Sequence, residues 1–398
     1  MAKPAQRPAD VFVAGCAMTA FGRRSDGTSP RDWVRQVAQE AIRDACIGPE
    51  QVDALVVATE SDFFWPQLCP GALLVDEAGL VPRPVMRVEM GGASGAMAIR
   101  AGTMHILSGM HRNVLVVGYE QAASGLPGDD VRTLYGLSFD AELEGMAGAS
   151  AASLYALSAG LYMHEFGITE RDLARVSVKN HGNAVLNPLS HKPMQVSIED
   201  VLASRPVSSP YKLLDCSMIS DGAAAVVLAA ESFGPPRRPR VRIAGWGCAS
   251  DHSRLGDRAR PYAFEGKARS AHQAYEKAGI TEPKREVGLA EVYDAFTGAE
   301  LQGIEALGLC DAGQAARALA EGRFDRGGVL PVNLSGGLLG QGGPPGATGV
   351  AQVVTLAQVL QGRYWPGLQP GGERRFGVAD AHSGVASVSV THVLEKLP

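Results

Sequence analysis

The feature that most constrains this chain is a pattern that occurs twice. VFVAGC (11–16), ALVVAT (54–59) and NVLVVGYE (113–120) are apolar runs with no alternation of polarity. Between them lie residues 31–47, with Trp33, Val34, Val37, Ala38, Ala41, Ile42 and Ala45 at helical spacing, and the small-residue stretch 94–108. Runs that are apolar on both faces and alternate with helices predict a parallel α/β sheet. The same order returns later: VRIAGWGC (241–248), a helix at 268–279, GLAEVYDAF (288–296), a helix at 346–360 and FGVADAHSG (376–384). A duplicated βαβαβ unit follows. The first half spans 1–233, with an insertion over about 121–215 that breaks the alternation. It carries helical stretches at 143–164 and 169–180, and AAAVVLAA (223–230) then returns to a buried strand. GPPRRPR (234–240) reads as a linker, and the second half spans 241–398.

Composition narrows the function. The net charge of −5 argues against nucleic acid or an anionic membrane as main partner. No apolar stretch approaches the ~20 residues of a membrane span. The N-terminal MAKPAQRPAD has no apolar core of a signal peptide, so a cytoplasmic enzyme is expected. Cys16, Cys46, Cys69, Cys216, Cys248 and Cys310 form no paired spacing, which fits reduced thiols and no metal centre. No dinucleotide fingerprint or P-loop is present, so no cofactor is expected.

Glycine is 48 of 398 residues, well above the usual ~7 %. Four strand–helix junctions concentrate the chemistry: Glu89–Gly95, Tyr293–Phe296, Asn333–Gly349 and Asp380–Gly384. Glycines there let a ligand approach the backbone, and helix N-terminal amides can hold developing negative charge.

NLSGGLLGQGGPPGATG (333–349), SVKNHGNAVLNP (177–188), LLDCSMISDGAAAVVL (213–228) and VYDAFTGAEL (292–301) together resemble the thiolase superfamily, in its sterol-carrier-protein or lipid-transfer branch. The resemblance runs from about 11 to 395. It implies a five-layer αβαβα fold of two βαβαβ halves, acyl-CoA as substrate and a homodimer. The departures are specific. The family's nucleophilic cysteine falls on Gly92, its Gly-His-Pro histidine on Gly343, and the histidine of its His-Asp-x-Phe motif on Tyr293; its proton-shuttling cysteine falls near Ala381, beside His382. Glycine cannot form an acyl-enzyme.

The family contains cysteine-lacking aldolases with tyrosine at that position, which cleave steroid side-chain CoA esters with a small partner bearing an OB fold and a zinc ribbon. Likeness to these implies retro-aldol cleavage of a β-hydroxyacyl-CoA to a ketone or aldehyde and a shorter acyl-CoA. Tyr293 is then the first candidate acid/base, with His382, whose ordinary pKa of ~6.5 suits proton transfer, and Asp294. Asp294 also reads as a cap for the helix near Thr297. Gly92, Ser94, His181, Gly343 and Gly384 are candidates for the oxyanion and substrate pocket, where loss of the histidine at Gly343 would enlarge the space. Arg132 and Lys212 are guesses for CoA phosphates. Two other readings remain: an acyltransferase with Cys69 or Ser94 as nucleophile, and a non-catalytic acyl-CoA-binding scaffold.

Overall fold

Apolar runs become strands buried on both faces. A computed structural model describes residues 10–234 and 238–397, so the core of the expected linker, 235–237, lies outside the described residues. The strands are β1 (Phe12–Met18), β2 (Ala54–Ala58), β3 (Val85–Val88), β4 (Asn113–Gln121), β5 (Pro206–Ser208), β6 (Tyr211–Lys212), β7 (Asp221–Ala229), β8 (Val241–Ser250), β9 (Val287–Glu291), β10 (Phe376–Ser383) and β11 (Val388–Lys396). β2 and β7 are buried at every residue. Nine strands run in the order β3-β2-β4-β7-β1-β8-β11-β10-β9, and β5 and β6 form a separate pair. Leaving out the edge strand β3, this order is a palindrome: β2-β4-β7-β1 mirrors β9-β10-β11-β8. That is the duplication seen in the sequence.

The sheet is mixed, which corrects the expectation of a parallel one. β2 pairs in parallel with β3 and β4, and β9 with β10. β7 runs antiparallel to β1 and β4, and β11 antiparallel to β8 and β10. Strand direction was hidden because helices cover both faces, and an apolar run reads the same in either direction.

The two halves join edge to edge through the pairing of Phe12 with Arg242. Helices Ser94–Leu107 and Pro345–Leu360 pack on each other and on strands of both halves. The Pro30–Asp44 helix covers the other side of β1, β4 and β7, and Glu265–Ala278 the other side of β8 and β11. The layers are therefore helix, sheet, helices, sheet, helix. The Pro345–Leu360 helix is buried at every position but Gln358. Its contact with the Ser94–Leu107 helix depends on two glycines. A Cβ on Gly95 would lie 2.7 Å from the Gly346 carbonyl oxygen, and one on Gly349 would lie 2.2 Å from Ala96 N.

Helices in the insertion start later than their spacing suggested. One runs Ala151–Phe166 behind an N-cap at Ser150, and the next Glu170–Ala184 behind Thr169, whose side chains accept from the Ser153 and Asp172 amides. Capping by Ser and Thr sets these starts more sharply than periodicity does. Among the described residues no helix is long and apolar enough to cross a membrane.

Candidate functional site

The C-terminal ends of β2, β4, β9 and β10 converge with the turn Gly91–Ala93, which opens the Ser94–Leu107 helix. Crevices at strand C-termini are where open α/β sheets bind ligands. A larger cleft, about 830 Å³, sits at the N-terminal end of β9, lined by Lys284, Arg323 and Arg374. Lys284 there is bound to Asp311 and Arg374 to the Gly288 and Val329 carbonyls, and the cleft contains no residue of the four glycine-rich junctions.

Tyr293 follows β9. Its amide donates to Asp380 Oδ2 at 3.3 Å, and its ring packs with Ala93, Ala96, Leu338, Ala381 and Val390 at 7 % exposure. A Cβ built on Gly92 would lie 2.3 Å from Tyr293 Oη and 2.7 Å from the His382 carbonyl oxygen. The phenol thus occupies the volume that a side chain at position 92 would need. Burial pushes the Tyr293 phenol well above its ordinary pKa, reinforced by Tyr155, Glu60, Asp294 and Asp380. Tyr293 therefore keeps its proton and acts as a hydrogen-bond donor.

His382 is the last residue but one of β10, its ring 4.6 Å from that of Tyr293. His382 Nε2 lies 2.7 Å from Tyr155 Oη, and the Tyr155 hydroxyl donates to the Gly384 carbonyl. Tyr155 has one proton and the carbonyl can only accept. The bond therefore runs from the His382 Nε2–H to Tyr155 Oη, which leaves Nδ1 bare. Nδ1 has no partner among the described residues. Burial, then the charges of Lys267 and Arg258, holds the imidazole well below its ordinary pKa. This corrects the expectation of a near-neutral proton carrier: His382 is a neutral, 1 % exposed ring.

Asp294 is corrected too. One carboxylate oxygen accepts the Leu338 amide at 2.7 Å; the other accepts the Leu339 amide at 3.3 Å and Asn180 Nδ2 at 2.7 Å. It caps the turn Gly337–Gly340, not the helix at Thr297. Asn180 also donates to Glu300, whose partner is Lys179 at 3.0 Å. This buried network fixes the frame, and both Asp294 oxygens are committed within it.

The remaining candidates are placed as follows. The Ser94 hydroxyl donates to the Gly91 carbonyl at 2.6 Å and accepts the Met90 amide at 2.8 Å, fully buried, so it ties the Gly91–Ala93 turn and is no nucleophile. Gly343 spends its amide on the Met218 carbonyl and Ser220 hydroxyl, which removes it as an oxyanion donor. A Cβ on Gly343 would lie 3.2–3.4 Å from Leu338 side-chain atoms, so Leu338 holds the space expected to be open. Gly384, at φ +54°, offers its carbonyl to Tyr155; it faces the site as an acceptor. His181 is buried and held at about 4 by burial and Lys192, with Nδ1 unpartnered among the described residues. Cys69 is an exposed N-cap of the Pro70–Glu77 helix. Arg132 pairs with Asp129 and Lys212 with Glu170.

Two carboxyl groups went unread. Glu120, the last residue of NVLVVGYE, is fully buried. It accepts Thr59 Oγ1 at 2.8 Å, the Glu60 amide at 2.6 Å and the Gly346 amide at 3.2 Å, which joins the two halves at the start of the Pro345–Leu360 helix. Glu60, next after ALVVAT, places Oε1 3.5 Å from where a Gly91 Cβ would sit. Burial, then Glu120 and Glu89, pushes Glu60 up to about 8; burial lifts Glu120 to about 7. A charged residue ending an apolar run was the available sign. Tyr155, within the insertion, had none.

Four of the thiols are pushed toward the neutral form. Burial pushes Cys16, Cys216 and Cys310 up to about 12 and also raises Cys248, which packs beside Tyr293. Among the described residues no cluster of three or more His, Cys, Asp or Glu side chains has a metal-holding arrangement.

Comparison with known proteins agrees with this architecture. The thiolase N-terminal domain matches residues 11–198, and the thiolase C-terminal domain-like family matches 247–396. An acetyl-CoA acetyltransferase of Methanothermobacter thermautotrophicus is 35 % identical over 97 % of this chain and 100 % of its own. Human sterol carrier protein 2 is 29 % identical over 98 % of this chain and 75 % of its own. Among solved structures, an Ltp2-ChsH2(DUF35) aldolase superposes with a TM-score of 0.82 at 26 % identity, covering 98 % of each chain. The fold, the two matched domains and the full-length relatives give one conclusion: the chain belongs to the thiolase superfamily, whose enzymes act on CoA thioesters.

Proposed function

We propose that the protein is a carbon–carbon lyase that cleaves a β-hydroxyacyl-CoA to a ketone or aldehyde and a shorter acyl-CoA. The observation that carries this is Tyr293 Oη standing 2.3 Å from the Cβ position of Gly92. A thiolase needs a thiolate there. Here a protonated phenol fills the place, and the buried thiols are all pushed toward the neutral form.

Retro-aldol cleavage needs no covalent intermediate. A base removes the β-hydroxyl proton, the Cα–Cβ bond breaks, and a hydrogen-bond donor holds the thioester enolate until Cα is protonated. Tyr293, locked in its protonated state, supplies the donor. The neutral His382 ring packs against it and fixes its angle. The likeness to the Ltp2-ChsH2(DUF35) aldolase supports the reading. It also supports a second proposal, that the working enzyme contains a small OB-fold and zinc-ribbon partner, with two copies of this chain as its centre. A steroid side-chain CoA ester is the substrate class we propose to test first.

The names of the sequence relatives favour an acyltransferase instead. The two separate cleanly. The chain, alone and co-expressed with any small OB-fold protein that a neighbouring reading frame encodes, is given β-hydroxyacyl-CoA and β-ketoacyl-CoA panels, and products are read by mass spectrometry. A carbonyl product with a shorter acyl-CoA, without added CoA, supports the lyase and excludes a mere scaffold. CoA-dependent thiolysis without any aldol cleavage overturns it.

A further inference from the structure

The lyase reading leaves its base unnamed, and the groups first expected to serve are spent. Tyr293 is held protonated, His382 is enclosed with Nε2 committed to Tyr155, and Asp294 is saturated. Asp380 is locked to Lys267 in a pair with both side chains at 0 % exposure. Glu120 accepts three hydrogen bonds at its two oxygens. Among these carboxyl groups Glu60 alone belongs to a partly exposed residue, and its inner oxygen, Oε2, lacks a hydrogen-bond partner among the described residues; Asp380 Oδ1 lacks one too, but its side chain is fully buried against Lys267. Its backbone is pinned by the 2.6 Å bond from its amide to Glu120, so the side chain projects from a fixed point at the end of β2. It projects toward the Gly91 turn, where Ser383 Oγ lies 2.4 Å and Glu60 Oε1 3.5 Å from the same Cβ position. The next residue in that turn is Gly92, which meets Tyr293 Oη.

We propose that Glu60 is the proton shuttle of the carbon–carbon cleavage, a role that rests on the lyase reading. The carboxylate takes the β-hydroxyl proton. The O–H electrons form the new C=O, and the Cα–Cβ pair passes into the thioester as the enolate. The resulting Glu60 carboxylic acid then gives the same proton to Cα. The carboxylate is regenerated, and no oxidant, metal or co-reactant enters the balance. The groups facing Glu60 suit such a shuttle. They are Glu120 from β4, Glu89 before the turn, Tyr293 beyond β9, Tyr155 from the Ala151–Phe166 helix and Tyr135 from the Gly128–Gly136 helix; none is cationic. Burial, then the charges of Glu120 and Glu89, raises the carboxyl to about 8, where it exchanges a proton readily in either direction.

The test uses the complex with its partner. Cleavage of a β-hydroxyacyl-CoA is followed from pH 6 to 9.5, alongside solvent-deuterium exchange at Cα of the shorter acyl-CoA alone. The wild type should show kcat rising with pH and levelling above about 8. Glu60→Gln should lose roughly 10²–10⁴-fold in kcat and lose Cα exchange, with KM little changed and a melting temperature no lower than that of the wild type. Glu60→Asp, which keeps the carboxylate, should retain more activity than Gln and shift the rising limb. Wild-type kcat and exchange in Glu60→Gln, or equal losses in both variants, would overturn the shuttle. Failure of the lyase reading looks different. Then the wild type itself yields no carbonyl product, while exchange at Cα still reports on Glu60.

Discussion

At the scale of single residues, the site is organised by a trade of volume between Gly92 and Tyr293. Their 2.3 Å separation from a built Cβ means that neither can change alone without consequence. Restoring the family's cysteine by Gly92→Cys is expected to force the phenol or the turn aside. A cost of about 1–3 kcal/mol and no gain of thiolase activity should follow. Adding Tyr293→Ala should recover much of that stability, since the two positions share one space and their effects are not additive. A thermal melt of the two single variants and the double variant checks this, and purely additive losses would contradict it. Tyr293→Phe keeps the ring and removes the donor. It should lower kcat on a cleaved β-hydroxyacyl-CoA by about 10²–10³-fold, the range for loss of one oxyanion donor, with the fold intact. A wild-type rate would remove the hydroxyl from the mechanism.

What was legible at this scale follows from the same residues. Gly92 and Tyr293 were visible because each departs from a family pattern at a strand–helix junction, and His382 because it is the one histidine in those four junctions; the structure brings the three together. The states of His382 and Asp294 were not legible. His382 depends on Tyr155, 227 positions away, and on Lys267 and Arg258. Asp294 is claimed by Asn180 and by a turn more than 40 residues downstream. Neither relation leaves a trace in local sequence.

At the scale of elements, part of the glycine excess is explained by contacts between backbones. Gly95 and Gly349 let the two central helices touch, and Gly118 admits the Gly346 carbonyl, with a built Cβ 2.1 Å away. Gly349→Ala is expected to destabilise by at least about 1–3 kcal/mol, because the obstructing atom is Ala96 N, which cannot rotate away. Gly160, a helical glycine with nothing within 4 Å of a built Cβ, is the control, where Ala should be neutral or stabilising by helix propensity. Urea melts of the two variants should move in opposite directions. Elements as such were easy to read, because burial on both faces leaves long apolar runs. Their directions were not. β10 and β11 are a hairpin, while β9 and β10 run in parallel, and both pairings present the same composition to the reader.

At the scale of the whole molecule, buried titratable groups set how stability responds to pH. Glu60 is raised from 4.5 to about 8, and Glu120 and Glu291 to about 7. For a raised carboxyl the stabilising contribution is complete below the unfolded value. It is lost as pH climbs through the folded value, because the unfolded chain ionises first. Histidines act in the opposite sense. His181 is lowered from 6.5 to about 4 and His392 to about 3, and burial also holds His382 well below its ordinary value. Their contribution is present above 6.5 and is lost as pH falls toward the folded values. Between pH 4.5 and 6.5 the two sets oppose one another. Above 6.5 the raised carboxyl groups act, so stability should fall between pH 6.5 and 8.5; below 4.5 the histidines act together with carboxylates that hydrogen bonds hold low, such as Asp32 and Asp200, so it should fall there too. A melting temperature highest near pH 5–6.5 is therefore expected, lower by a few degrees at pH 8.5. Glu120→Gln removes one titrating group while keeping a hydrogen-bonding shape, and it also withdraws a charge that raises Glu60. Its melting temperature should decline less steeply from pH 6.5 to 8.5 than that of the wild type. A wild-type curve that stays level over that range, or a steeper decline in the variant, would contradict this account of the buried carboxyl groups.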